Sequence, residues 1–356
     1  MPKGIRRIIK FLSGIIAFGI IASALLLGAA IYFNSPPEEP PLPEESAMKI
    51  EDGSLFLEIR PGESAYSVGA RLEKAGVIRS RYFWNLLFRL SGEYIKTGTY
   101  RIEIPAKQLD IRSILISGEQ LLIKVTIPEG VTLKKTAGIL EEEGICTADD
   151  FLKAAFSGVS LNAYNIPGPS MEGYLYPDTY LFPLGYPAHK VITVMADTFF
   201  KRLRSYVPEA FGLKTISPLE LNEKVIIASI VEREYMIAEE APLIAGVFFN
   251  RLKIGMALQS CATVEYIITE IQGRPHPKVL YNRDLEIRDP YNTYLHPGLP
   301  PGPISAPGEN AIKAAFNPAV SDFLYFRLID PKSGQHYFSR TLDDHIRAGS
   351  LYLKER

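Results

Sequence analysis

The sequence predicts an α+β protein in three parts: an N-terminal transmembrane helix, a small β-α-α-β domain, and a mixed, helix-rich domain with a small β-hairpin region. Three patterns carry this expectation. Phe11 to Phe33 contains no charged residue, a length of roughly 20 or more that can cross a bilayer as a helix. Alternating apolar residues at 55–59 and 100–104 enclose two stretches of helical period. A long helix-period stretch, Ser217 to Leu252, is followed by turn-rich segments and a final pair of alternating runs.

Composition narrows the classes. A chain of 356 residues has room for an anchor and two or three domains. The net charge of -1 and the lack of a basic block beyond the N-terminus give no reason to expect nucleic acid as a partner. Cys146 and Cys261 lie far apart, and five histidines are scattered without ligand spacing. No metal and no cofactor is expected, and both cysteines are expected as free thiols.

Lys3, Arg6, Arg7 and Lys10 precede the apolar run and only acidic charges follow closely, so the N-terminus is expected in the cytoplasm. Ala22-Ser23-Ala24 offers a faint signal-peptidase site, but the apolar run continues past it, which favours an uncleaved anchor. Residues 1–33 are therefore read as cytoplasmic N-terminus and anchor. Residues 34–53, with NSPPEEPPLPEES at their start, read as a stiff linker.

Residues 54–120 form the small domain. Leu55, Leu57 and Ile59 alternate as in a half-buried strand that Pro61-Gly62 ends. Val68, Leu72 and Ala75 mark one amphipathic helix, and Trp84, Leu87 and Leu90 a second; Tyr100, Ile102 and Ile104 mark the closing strand. This β-α-α-β unit resembles a LysM-like module, a fold associated with glycan chains. A plain spacer domain is the alternative.

Residues 121–356 form the large domain. Leu121 to Ile127 reads as a strand, Pro128-Glu129-Gly130 as a turn, and Leu133 to Glu143 as a helix. Thr147 and Asp150 have the spacing of a capping start. Glu172 to Tyr180 (EGYLYPDTY) follows no regular period and reads as a hydrophobic lid or as a platform for sugar rings.

Ser217, Pro218 and Glu220 read as a helix start. At about 100° per residue, Ile227, Ile230, Val231, Ile237 and Ala238 share one apolar face, with Glu234 near its middle. Glu232 is expected on the opposite, wet face beside Ser229 and Glu239. Burial raises a carboxyl's pKa, which suits Glu234 to general-acid chemistry, and a structural ion pair is the other reading. A second helix, Leu243 to Leu252, is expected to end at Gly255. The run Gly298 to Gly308 is stiff enough either to carry a site or to wrap the domain. A short helix, Ala311 to Phe316, then leads to a hairpin over Phe323–Leu328 and His336–Ser339.

Several segments in order resemble the endolytic murein transglycosylase family (MltG or YceG-like), membrane-anchored bacterial enzymes that cut peptidoglycan strands. They are EGYLYPDTY at 172–180, ASIVERE at 228–234, VFFNRL at 247–252, YNTY at 291–294, GLPPGPI at 298–304 and Tyr325-Phe326. The resemblance implies that Glu234 is the catalytic acid of a lytic transglycosylase. It would cleave the MurNAc–GlcNAc bond, leave 1,6-anhydro-MurNAc ends, and terminate strand elongation. Gln259, Thr263, Tyr291, Asn292, Thr293, Tyr294, Pro300 and Pro301 are then expected at the substrate cleft. Implied partners are peptidoglycan glycan strands, the cytoplasmic membrane and peptidoglycan synthases. Two departures stand out: Tyr235 follows the acid where many members have Thr or Ser, and Cys261-Ala262 replaces a common Asp-Pro. The rival enzyme is a hydrolytic muramidase pairing Glu234 with Glu265 or Asp289. The rival from another class is a non-catalytic wall-binding scaffold.

Overall fold

The computed structural model describes residues 3–38, 48–211 and 216–349. The acidic, proline-rich part of the expected linker, 39–47, lies outside the described residues. The chain divides into two compact units, residues 1–122 with 183–185, and residues 123–182 with 186–356.

The first unit begins with helix α1 (Lys3–Asn34), whose stretch Lys10–Asn34 is long and apolar enough to span a membrane. Strands β1 (Met48–Glu51), β2 (Ser54–Ile59) and β3 (Gly98–Glu103) form an antiparallel sheet with β2 in the middle. Helices α2 (Ala65–Lys74) and α3 (Arg81–Ser91) connect β2 to β3, and α4 (Gln108–Ser117) follows. The expected β-α-α-β order is present, enlarged by α4 and by β1, a strand inside the range expected to be linker. Ser64 and Ser80 cap α2 and α3 by accepting from the amides of Ser67 and Phe83. Alternation puts Leu55, Leu57, Ile59, Tyr100 and Ile102 on one buried face, which meets Val68, Leu72, Trp84 and Phe88. Leu90, expected as a core position of α3, is instead 77% exposed. Phe88 takes the inward place, one turn beyond Trp84.

The second unit opens on β4 (Leu122–Thr126), then α5 (Leu133–Glu142), α6 (Ala148–Ala155) and α7 (Gly158–Ala163). Thr147 caps α6 as its spacing predicts, its hydroxyl accepting from the Asp150 amide at 3.1 Å. Strand β5 (Thr179–Pro183) pairs with β4, and α8 (Ala188–Tyr206) follows. The tyrosine-rich segment ahead of β5 is neither lid nor platform. Tyr174, Tyr176 and Tyr180 are buried, and their hydroxyls bond Asn222 Oδ1, the Tyr206 hydroxyl and the Tyr176 carbonyl. Such satisfied hydroxyls let tyrosine serve as core.

Helix α9 (Pro218–Val231) is the spine of this unit, packed on α10 (Ala241–Lys253) and α13 (Glu309–Phe316). Between α10 and α13 lie the short α11 (Cys261–Tyr266), which runs into a π-helical turn at Ile267–Ile271, and α12 (Asn282–Leu285). Every residue of α9 from Val225 to Val231 is buried, Ser229 included. A helix buried all round has no wet face. The expected division into an apolar face with Glu234 and a polar face with Ser229 and Glu232 is therefore incorrect. Ser229 Oγ accepts from the Ile304 amide at 3.0 Å, and its carbonyl accepts from Ser305 Oγ at 2.9 Å. The helix also ends at Val231, before either glutamate. Arg233 and Glu234 donate their amides to Ile230 and Val231, three residues back, which tightens the end into a turn.

Strands β6 (Tyr325–Asp330) and β7 (Gln335–Ser339) pair antiparallel as the expected hairpin, and α14 (Leu342–Ala348) follows. Buried Arg251 on α10 fixes the hairpin's base. Its guanidinium donates to the carbonyls of Leu324 and Leu258, each at 2.6 Å.

Candidate active site

Glu234 stands in the turn after α9, half-buried, and faces the start of α11. Ser260 Oγ donates to its Oε1 at 2.5 Å. Burial is the main cause that pushes the Glu234 carboxyl up to about 7. The hydroxyl of Ser260, the Arg233 charge and the Ala262 amide pull it down, and the charge of Glu265 pushes it further up. The group therefore sits near the midpoint of titration around neutrality. It can give a proton and take one back.

The residues that place Ser260 come from two loops stapled together. The Ser260 amide donates to Thr293 Oγ1 at 3.0 Å, and the Gln259 amide donates to the Thr293 carbonyl at 3.0 Å. Thr263 Oγ1 lies 2.8 Å from the Ser260 carbonyl, to which it donates, and 2.9 Å from Thr293 Oγ1. Asn292 Nδ2 donates to the carbonyls of Leu285 and Ile287, and its Oδ1 accepts from the Tyr294 amide. Thr263, Asn292 and Thr293 are thus buried and engaged with protein groups. Gln259 holds a left-handed backbone, φ 53°, with its side chain exposed. Tyr294 stands half-buried, its hydroxyl 3.1 Å from Cys261 Sγ.

The proline run borders the neighbouring surface. Pro301 is exposed while Pro300, Gly302 and Pro303 are buried. Glu232 ties this run to the turn carrying Glu234. Its Oε2 accepts from the Gly308 amide at 2.8 Å, and burial pushes its carboxyl up to about 7. The expected solvent-facing glutamate is a half-buried clasp.

Of the two rival second carboxylates, Glu265 is the one whose charge acts on Glu234. Its Oε2 lies 3.0 Å from the Arg233 guanidinium and 3.3 Å from His276 Nε2. Asp289 accepts from the Tyr291 amide and shapes the loop before it.

Periodicity and spacing did not single out Ser260 or Glu172. Glu172 is 3% exposed and lines a cavity of about 290 Å³ with Tyr266, Glu270 and Tyr291. Its oxygens accept from the Leu133 amide at the start of α5, and burial pushes its carboxyl up to about 8. Tyr291 joins the same wall by packing on Tyr266, with ring centroids 5.1 Å apart. A charged residue at the head of the aromatic run 172–180, which also carries Asp178, was the available signal for Glu172. For Ser260 there was none, because its contact spans 26 residues of chain.

Comparison with known proteins bears on this arrangement. Residues 57–350 match a family described as YceG-like. A Bacillus subtilis protein named "Endolytic murein transglycosylase" is 30% identical over 93% of this chain and 92% of its own length. A Streptococcus pneumoniae protein of the same name is 30% identical over 85% of this chain, which spans only 60% of that relative. The crystal structure of a yceG-like protein from Listeria monocytogenes is 31% identical, covers 83% of this chain and 98% of its own, and superposes with a TM-score of 0.56.

Proposed function

The chain belongs to the YceG-like family, and from that premise we propose that it is an endolytic lytic transglycosylase of peptidoglycan with Glu234 as its acid and base. The observation that carries this reading is the Glu234 carboxyl at the turn of the ASIVERE segment, hydrogen-bonded by Ser260 and raised to about 7. Glu234 donates its proton to the bridging oxygen of the MurNAc–GlcNAc bond. As the C–O bond breaks, positive charge develops at the MurNAc anomeric carbon. The carboxylate then removes the proton of the same sugar's C6 hydroxyl, whose oxygen bonds to C1 and leaves a 1,6-anhydro end. An internal nucleophile needs no ordered water, so one carboxylate serves both steps. Ordinary glycosidases need two, and here Glu265, whose charge acts on Glu234, is occupied by Arg233 and His276.

On this reading Gln259, Tyr294 and Pro301 border the glycan. Thr263, Asn292 and Thr293 act from beneath by fixing Ser260, with Tyr291 and Pro300 in the adjoining wall. The first unit serves as a LysM-like glycan-binding module, and the protein is a single-pass membrane protein with both units outside the cytoplasm. A reporter fused after Arg356 that is active only in the cytoplasm would overturn that topology. Cutting strands as they are made would end their elongation and places the enzyme beside peptidoglycan synthases.

The deciding experiment is mass spectrometry of fragments released from isolated glycan strands by the purified protein. Anhydro ends are the expected product. Reducing ends would identify a hydrolase, and intact strands would leave a wall-binding scaffold.

A further inference from the structure

Helix α3 carries apolar side chains on two opposite sides. Trp84 and Phe88 enter the core of the first unit. On the other side Tyr82, Leu86 and Leu90, each one turn from the next, are 67%, 49% and 77% exposed. Tyr94, just past the C-terminal Gly92, is 79% exposed. Single exposed apolar residues are normal, but three large ones along one helix face, with a fourth just beyond its end, mark a surface that meets something. Two arginines border the row and α3 contains no acidic residue. The Arg81 guanidinium lies against the rings of Tyr66 and Tyr82 and pairs with Glu73 Oε2 at 3.5 Å, and Arg89 is exposed beside Leu90.

The start of this helix adjoins the end of the membrane-spanning stretch. Phe33 stacks on Phe83 with centroids 5.9 Å apart, and the Arg79 guanidinium lies over the Tyr32 ring at 4.6 Å. Arg79 Nε also donates to the Pro36 carbonyl, and the Leu109 amide on α4 donates to Asn34 Oδ1. Tyr32 and Phe33 close the charge-free run, so they fall where aromatic side chains favour the membrane–water boundary. A helix fastened at that level, with aromatic and aliphatic residues on its free side and arginines beside them, has the character of an interfacial helix.

We propose that α3 lies in the outer interface of the bilayer, with Tyr82, Leu86, Leu90 and Tyr94 among the acyl-chain ends and Arg89 at anionic headgroups. The proposal rests on α1 being a transmembrane anchor. It makes the first unit a membrane-seated base rather than a domain swinging on a tether.

The test uses the full chain with Cys146→Ala and Cys261→Ala, reconstituted in vesicles of phosphatidylcholine with a minority of phosphatidylglycerol. Single nitroxides are placed through Phe18→Cys, Glu58→Cys, Leu86→Cys or Leu90→Cys, with circular dichroism confirming the fold of each. Glu58 is on the sheet face turned away from the core. Labels at 86 and 90 are expected to collide more with oxygen than with a water-soluble nickel chelate, as the label at 18 does, while the label at 58 shows the reverse. If 86 and 90 behave like 58 while 18 reports lipid, the helix stands in water and the proposal fails. If 86 and 90 are shielded from both reagents, a second copy or another protein covers the face, and it fails likewise. A label at 18 that behaves like 58 would remove the anchor itself, and with it the proposal.

Discussion

Glu232 and Glu234 are two residues apart, and burial brings both to about 7, yet their surroundings give them different work. Glu234 is held by the Ser260 hydroxyl at the start of α11, whereas Glu232 is held by the Gly308 amide at the end of the proline run, with the Tyr235 hydroxyl 3.5 Å from its other oxygen. Glu234→Gln keeps the size but moves no proton, so activity should fall by roughly 10²–10⁴ or more with the melting curve unchanged. Glu232→Gln still offers an oxygen to the Gly308 amide and should stay within a few-fold of the parent in the same assay of anhydro ends. Ser260→Ala removes the bond that pulls the Glu234 pKa down. The falling limb of the rate, which begins near pH 7 where Glu234 loses its proton, should move to higher pH, with a loss of about tenfold. A merely structural serine would lower the melting temperature and leave that limb in place. Glu172 shows the same physics as stability. Its folded pKa of about 8 exceeds the ordinary 4.5, so the folded state binds its proton more tightly. That contribution is complete below about pH 4.5 and is lost as pH rises through about 8. Glu172→Gln, which mimics the protonated acid, should shrink the drop in melting temperature between those limits.

At the scale of elements, the start of α9 was legible and its end was not. Ser217 caps α9 as its sequence predicts, with Oγ accepting from the Glu220 amide at 3.2 Å. The same local chemistry marked α6, because a cap is a contact between near neighbours. The end of α9 had no such mark. Its last turn is buried on all sides, Ser229 included, so periodicity runs on into residues that have already left the helix. The tyrosine-rich segment was opaque for the opposite reason, since its partners Asn222 and Tyr206 are distant in sequence. That segment is locked by Gly173, with φ 80°; an added Cβ would stand 2.5 Å from Pro303 and 3.0 Å from Val225. Gly173→Ala should therefore cost more than the roughly 1–2 kcal/mol of the left-handed backbone alone. Chemical denaturation would measure it. A loss within a few tenths would mean that the proline run yields easily.

Across the whole molecule, the long apolar N-terminal helix, the small domain and the hairpin followed from period and charge, which act over a few residues. The clustering of Glu234, Ser260, Thr293 and Glu265 did not, because loops remote in the chain assemble it. The buried acids have one more effect, on electrophoretic behaviour. With every carboxyl ionising normally, the composition sets an isoelectric point of about 6.6. Glu172, Glu232 and Glu234 hold protons up to about 7 or 8 in the folded state. His345, lowered chiefly by burial, offsets part of that gain. In isoelectric focusing the native protein should band at higher pH than the same protein in urea, and Glu172→Gln should narrow the gap. A coincident pair of bands would mean that these carboxyls are ionised in the fold.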